Sequence, residues 1–150
     1  MKQNQKIIRV QLSLNNPDEF LILGIVSAEP DYKVSLSINK KLGLSLKNTT
    51  PVSLTDSSGV GSSFNRFSDD SDSAGNIYFL ITNRIGNNYL FRKLKNIDFI
   101  FIIHNMESAE AGGKIHSFQP SLLKEAEHIT AVFNLDISII GEKQLHHLIV

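Results

Sequence analysis

The stretch Ile97–His104 sets the tightest limit on the fold. Drawn out as a strand, it turns Ile97, Phe99, Phe101 and Ile103 to one side and Ile100 and Ile102 to the other. Strand side chains alternate between two faces, so both faces of this one are apolar and it belongs in the middle of a sheet. Phe20–Val26 is apolar on both faces apart from Gly24 and reads as a second buried central strand. The densest apolar run, Phe99–Ile103, falls far short of the roughly 18 residues of a membrane-spanning helix, so no membrane partner is expected. Met1–Lys6 is polar and leads directly into Ile7–Ile8 with no cleavage site, so no secretory signal is read and the expected location is cytoplasmic.

Further strands are expected at Lys6–Leu14, Asn76–Arg84 and Ala131–Ile140, with a short one at Gln144–Val150. Residues 53–75, rich in Ser, Gly, Asp and Asn, read as a loop interrupted by a short strand at Ser63–Phe67 and closed by a turn at Asp69–Gly75. Gly86-Asn87-Asn88 is a tight turn. Asp31–Leu42 fits both a strand alternation and a helix. The ends decide for a helix: Asp31 suits the N-cap, Lys40 and Lys41 suit the last turn, and Gly43 suits a left-handed cap. In it Tyr32, Val34, Leu36, Ile38 and Leu42 fill one apolar arc. A second helix is expected at about Pro120–His128, from Leu122, Leu123, Ala126 and Ile129. The expected fold is one α+β domain over residues 1–150, a mostly antiparallel or mixed sheet with both helices on one face.

The chain has 150 residues, 15 Lys+Arg against 15 Asp+Glu, and no cysteine. One domain fits the length. The lack of cysteine removes disulfides, thiolate metal sites, iron–sulfur clusters and a thiol nucleophile. The balanced charge leaves no global field that would draw the chain onto nucleic acid. No cofactor is expected.

Several fragments taken together resemble a known family. They are Phe20-Leu-Ile-Leu-Gly-Ile-Val, Asp31-Tyr32-Lys33, Ile38-Asn39-Lys40-Lys41-Leu42-Gly43-Leu44, Tyr78-Phe79-Leu80-Ile81-Thr82-Asn83-Arg84, Tyr89-Leu90-Phe91-Arg92-Lys93, Ile97-Asp98-Phe99 and Ala131-Val132-Phe133-Asn134-Leu135-Asp136. Their order and spacing over about residues 20–140 resemble the IPExxxVDY family, a group of small uncharacterised proteins from Bacteroidetes bacteria. The naming motif is degenerate here. Phe91-Arg92-Lys93 stands for Ile-Pro-Glu and Ile97-Asp98-Phe99 for Val-Asp-Tyr, so the glutamate's charge is reversed and the tyrosine hydroxyl is gone. The resemblance implies domain limits and no activity.

Asp98, at the mouth of a buried strand, is the candidate catalytic carboxylate, with His104 or His116 as its partner. The same residue fits a structural part, accepting amides of the Phe91–Asn96 turn or pairing with Arg92, Lys93 or Lys95. Asn39 falls inside the apolar arc of the first helix; it either binds a ligand or ties the helix to a loop's backbone. Lys33, Lys40 and Lys41 form one basic stripe and Arg92, Lys93 and Lys95 another. Side by side they would make an anion or nucleic-acid site, with Phe64, Phe67, Tyr78 and Phe79 stacking bases. His104, His116 and a carboxylate are the only zinc set considered, and no metal site is expected. His128 suits the end of its helix, and His146 and His147 would face opposite ways on a strand. Asp69–Ser73 reads as a solvated turn, and Gly59–Ser63 lacks the lysine of a phosphate cradle.

The expected function is a non-catalytic cytosolic binding or adaptor module, with the long 53–75 segment as its binding element. The alternative is a small-substrate enzyme centred on Asp98, and the third reading is anion or nucleic-acid binding by the two basic stripes. Open sheet edges make a second copy or a protein partner the expected partner.

Overall fold

The computed structural model describes residues 19–55, 57–105 and 118–150. The expected strand Lys6–Leu14 and His116 lie outside these. The strands are β1 (Glu19–Val26), β2 (Lys47–Thr55), β3 (Gly61–Asp69), β4 (Asn76–Thr82), the short pair β5 (Arg84–Ile85) and β6 (Asn88–Tyr89), β7 (Phe99–Asn105) and β8 (Ala131–Leu135). The helices are α1 (Asp31–Leu42), α2 (Ser121–Lys124), α3 (Ile137–Ile140) and α4 (Glu142–Ile149). Six strands make the main sheet in the order β2-β3-β4-β7-β1-β8, and every neighbouring pair is antiparallel. The fold is therefore α+β with an antiparallel sheet. β7 and β8 run the same way, as a crossover through α2 requires, but β1 lies between them.

β7 and β1 occupy the centre, as their two apolar faces demand. Register aligns Leu80, Phe101 and Leu23 in one row and Ile81, Ile100 and Gly24 in the next. The first row and its alternates pack with Val34 and Ile38 of α1 and Leu123 of α2. The second packs with Ile140 of α3 and Leu145 and Leu148 of α4. Each fully buried side chain of this size stabilises the fold by about 1.5–3 kcal/mol before entropy. The two helices expected on one face do share it, and the opposite face is covered as well.

α1 ends where expected: Gly43 takes φ 69° and its N–H donates to the Asn39 carbonyl. Its start differs. Pro30 holds the N-cap position with no side-chain cap, and the Asp31 carboxylate instead accepts from Asn65 Nδ2 of β3 at 2.7 Å. Val34, Ser35 and Ile38 are buried, while Tyr32 and Leu36 of the expected apolar arc face solvent.

Four expectations are corrected. The strand at Ser63–Phe67 and the turn closing at Gly75 are found, but the strand is longer and the loop expected before it is not there: β2 and β3 form a hairpin from Lys47 to Asp69. β2 closes one side of the sheet and buries only Val52, so it lacks the apolar alternation that marks a strand. The expected helix 120–128 is helical only at Ser121–Lys124, because the chain must turn back to start β8. His128 sits beyond the helix at φ 70°, its carbonyl accepts from Ser27 Oγ, and the Thr130 N–H donates to the Val26 carbonyl at 2.8 Å. The strand expected at Ala131–Ile140 stops at Leu135, because Asp136 caps α3 by accepting from the Ser138 N–H at 3.0 Å. The short strand expected at Gln144–Val150 is α4, which buries Leu145 and Leu148 at helical spacing. A buried guanidinium fixes its end: Arg66 Nη1 donates to the Leu148 carbonyl at 2.6 Å, and burial lowers the Arg66 pKa.

The turn after β3 also departs from expectation. Asp69 is buried rather than solvated, and accepts from the Ser45 and Ser71 amides and the Ser71 hydroxyl. Burial alone would raise its pKa, but these donors and Lys47 outweigh it and hold the carboxyl below its ordinary value. Tyr78 Oη donates to Asp72 Oδ2 at 3.1 Å, and burial together with Asp72 pushes its pKa up to about 12. Satisfied in this way, the carboxylates brace the turn into β4.

Candidate functional site

Between β4 and β7 the chain crosses the second face of the sheet and forms a raised ridge there. Its anchor is Asn83, fully buried at the end of β4. Asn83 Nδ2 donates to the carbonyls of Leu94 at 2.9 Å and Ile97 at 2.8 Å, and Oδ1 accepts from the Phe91 N–H at 2.9 Å. Its backbone N–H donates to the Asp98 carbonyl, and its own carbonyl accepts from Leu90. One amide side chain thus holds three points of the stretch Phe91–Ile97, which belongs to no strand. β5 and β6 make a hairpin on a two-residue turn, and Arg92–Leu94 form a single 3-10 turn. Below the ridge, Ile97 packs onto Gly24 of β1. A Cβ at Gly24 would stand 2.7 Å from Ile97 Cδ1, so the missing side chain is what lets the ridge sit this low.

Asp98 secures the same segment to β1. Its Oδ2 accepts from the Ser27 N–H at 2.9 Å, and its Oδ1 pairs with Arg84 Nη2 at 2.9 Å. Its backbone N–H donates to the Ile25 carbonyl. The partners weighed from the sequence, Arg92, Lys93 and Lys95, are not the ones it meets. Nor does it meet His104, which sits six residues further along the same strand, roughly 20 Å away at strand rise. His104 stacks on Phe20 with ring centroids 4.3 Å apart. The structure therefore does not bring the two parts of the acid–base pair together, and His116 lies outside the described residues.

Asn39 has a fully local set of bonds. Its Nδ2 donates to the Leu46 carbonyl at 3.3 Å and its Oδ1 accepts from the Leu46 N–H at 2.8 Å. This ties the end of α1 to the lead-in of β2. His147, now on a helix, places Nε2 3.1 Å from the Ser53 carbonyl oxygen. Among the described residues, no three His, Cys, Asp or Glu side chains gather as a metal site would need.

The two basic stripes differ in kind. Lys33 pairs with Glu29 at 3.1 Å, Lys40 with Glu127 at 3.6 Å and Lys41 with Glu125 at 3.0 Å. The Glu29 carboxylate also raises the Lys33 pKa. Arg92, Lys93 and Lys95 are exposed on the ridge, and none has a carboxylate in ion-pair range among the described residues. Three clefts meet at this ridge. One of about 610 Å³ lies between it and the β2–β3 hairpin tip, lined by Thr55, Ser62, Asn88, Tyr89, Arg92 and Lys95 among others. One of about 430 Å³ lies between it and β8, where Leu94, Ile97, Phe133 and Leu135 make an apolar floor under Arg92, Lys93 and Lys95. One of about 330 Å³ opens toward Ile139 and Gln144 beside Arg92 and Lys93. No lysine of α1 lines any of them.

Chemically the ridge is a cluster of exposed positive charge. Arg92 offers a planar fork for a carboxylate or phosphate, and the two lysines add mobile point charges. The aromatic groups expected to stack bases are not there: Phe64, Phe67 and Phe79 are buried in the two cores, and Tyr78 points into the first of them. Sequence reasoning found the ridge cations and missed Asn83 and Gly24. A polar residue straight after an apolar strand was the only local sign of Asn83, and many strand ends share it. Among the described residues, no helix is long and apolar enough to cross a membrane. In comparisons with known proteins, no family model, curated protein or solved structure matches the chain.

Proposed function

We propose that this chain is a cytoplasmic, non-catalytic binding module that holds an anionic partner on the ridge of Arg92, Lys93 and Lys95. The observation that carries the reading is the contrast in pairing. The lysines of α1 pair with carboxylates of the fold, and the ridge cations are exposed, without a carboxylate partner among the described residues, and grouped where three clefts meet. The rival enzyme reading needs Asp98 beside a histidine. Its carboxylate is taken up by Ser27 and Arg84, and no observation favours it. The nucleic-acid form of the anion reading loses the four aromatics it relied on, since Phe64, Phe67 and Phe79 are buried and Tyr78 packs on the first core.

The test is a titration with poly-L-glutamate at low and physiological salt. Binding is expected, weakening with salt as exposed charges are screened over about 8 Å. Reversing all three cations to Glu should lower affinity by about ten-fold or more. Lys40→Glu should change little, and Asp98→Asn should bind as the parent does, since an amide oxygen still accepts from Ser27. Equal binding by the triple variant would sink the reading.

We also propose that the likeness to the IPExxxVDY family reflects common descent. Its support is that the matching fragments fall, in chain order, on elements of one fold: β1, both ends of α1, β4, the ridge, the start of β7 and β8. A family member whose sheet has a different strand order would refute it.

A further inference from the structure

The cleft between the ridge and β8 combines three features that the fold does not use internally. β8 pairs with β1 on one side, and among the described residues no strand pairs with its other side. Such an edge presents N–H and C=O groups in strand register. Beside that edge Phe133 is 51% exposed, and with Leu94, Ile97 and Leu135 it forms the apolar floor of a cleft of about 430 Å³. Above the floor stand Arg92, Lys93 and Lys95, without carboxylate partners among the described residues.

Resting on the binding reading above, we infer that this cleft docks an extended acidic segment of a partner protein, added to β8 as a further strand. Main-chain bonds along β8 supply the register. An apolar side chain of the segment enters the floor over Phe133, and acidic neighbours meet the ridge. Charge decides among the occupants. Residues 1–17 of the chain itself carry Lys2, Lys6 and Arg9 with no Asp or Glu, so they would bring cations to cations. A second copy paired antiparallel through β8 would set its own Arg92, Lys93 and Lys95 on the same face of the joined sheet. An acidic segment complements both the floor and the rim.

The experiment uses the full chain and a fluorescein-labelled ten-residue peptide alternating Glu with Val and Phe. A Lys-for-Glu counterpart and a version N-methylated at alternate amides serve as comparisons, all read by anisotropy. The acidic peptide should bind, and the basic one should bind about ten-fold more weakly or less. N-methylation should cost a similar factor, because it removes the donors that strand addition needs. Phe133→Ala, at an exposed position that leaves the folded core intact, should weaken binding several-fold. If Arg92→Glu/Lys93→Glu abolishes binding while N-methylation and Phe133→Ala leave it unchanged, the ridge binds anions and strand addition at β8 is wrong. If charge reversal has no effect either, both readings fall. Concentration-dependent dimerisation that blocks the peptide would show that a second copy occupies the edge, and would overturn the inference.

Discussion

α1 and the ridge at residues 83–98 both carry a group of cations, three on α1 and four on the ridge, and both are secured by a buried or half-buried asparagine. They are otherwise opposites. α1 satisfies its backbone internally, its Asn39 adds one reciprocal bond pair at its end, and its lysines are spent on Glu29, Glu125 and Glu127. The ridge is mostly irregular, so Asn83 must satisfy three backbone groups at once; Arg84 pairs with Asp98, while Arg92, Lys93 and Lys95 are exposed with no carboxylate partner among the described residues. A regular element can place its charges for the fold's own use. An irregular one, fixed from beneath by a single side chain, leaves its outer surface unconstrained by the fold. A binding function takes up that kind of surface most readily.

The strongest way to break this comparison is to remove the two asparagines. Asn83→Ala should destabilise by about 3 kcal/mol, since it strands the Ile97 carbonyl and the Phe91 amide and takes one of two donors from the Leu94 carbonyl. Asn39→Ala should cost about 1–2 kcal/mol, with two bonds lost at a less buried place. Denaturant unfolding of both would decide it, and equal costs would mean that the ridge is not hung on Asn83. Next in size is Gly24→Ala, expected to cost about 1–3 kcal/mol as Ile97 is pushed outward. The same variant should change the amide shifts of residues 92–97 and leave those of α1 in place. A uniform loss of stability with no shift at the ridge would separate the ridge from its supposed seat. The smallest effect is Lys41→Gln on α1. Its pair with Glu125 is mostly exposed, so the change should stay below about 1 kcal/mol and shrink with added salt.

The same contrast explains what could be read in advance. β1, β4 and β7 were legible because their apolar residues had nowhere else to go, and α1 because Gly43 marks its end. β2 was not, since a strand closing one side of the sheet with only Val52 buried carries almost no pattern. α4 was mistaken for a strand because Leu145 and Leu148 span too few residues to separate the two periods without the break at Gly141 and the cap at Asp136. The candidate site was half legible. Arg92, Lys93 and Lys95 stand out in any reading of charge. The lack of carboxylate partners for them and of a strand outside β8, both among the described residues, and the part played by Asn83 depend on which strands become neighbours, and no local stretch encodes that. Asp98 was conspicuous for the right reason, a charge at the mouth of a buried strand, but Arg84 and Ser27 come to it from residues 14 and 71 positions away.

The strand order also bears on how the molecule comes into being. β1 lies between β7 and β8, so both its sheet neighbours are made long after it. On a ribosome adding about 5–20 residues per second, the wait from the end of β1 to the start of β7, the first neighbour to be made, is on the order of 4–15 s. For that interval an apolar strand meant for the centre of a sheet has no neighbour to pair with. The nascent chain is therefore a natural client for a holding chaperone until its last third appears.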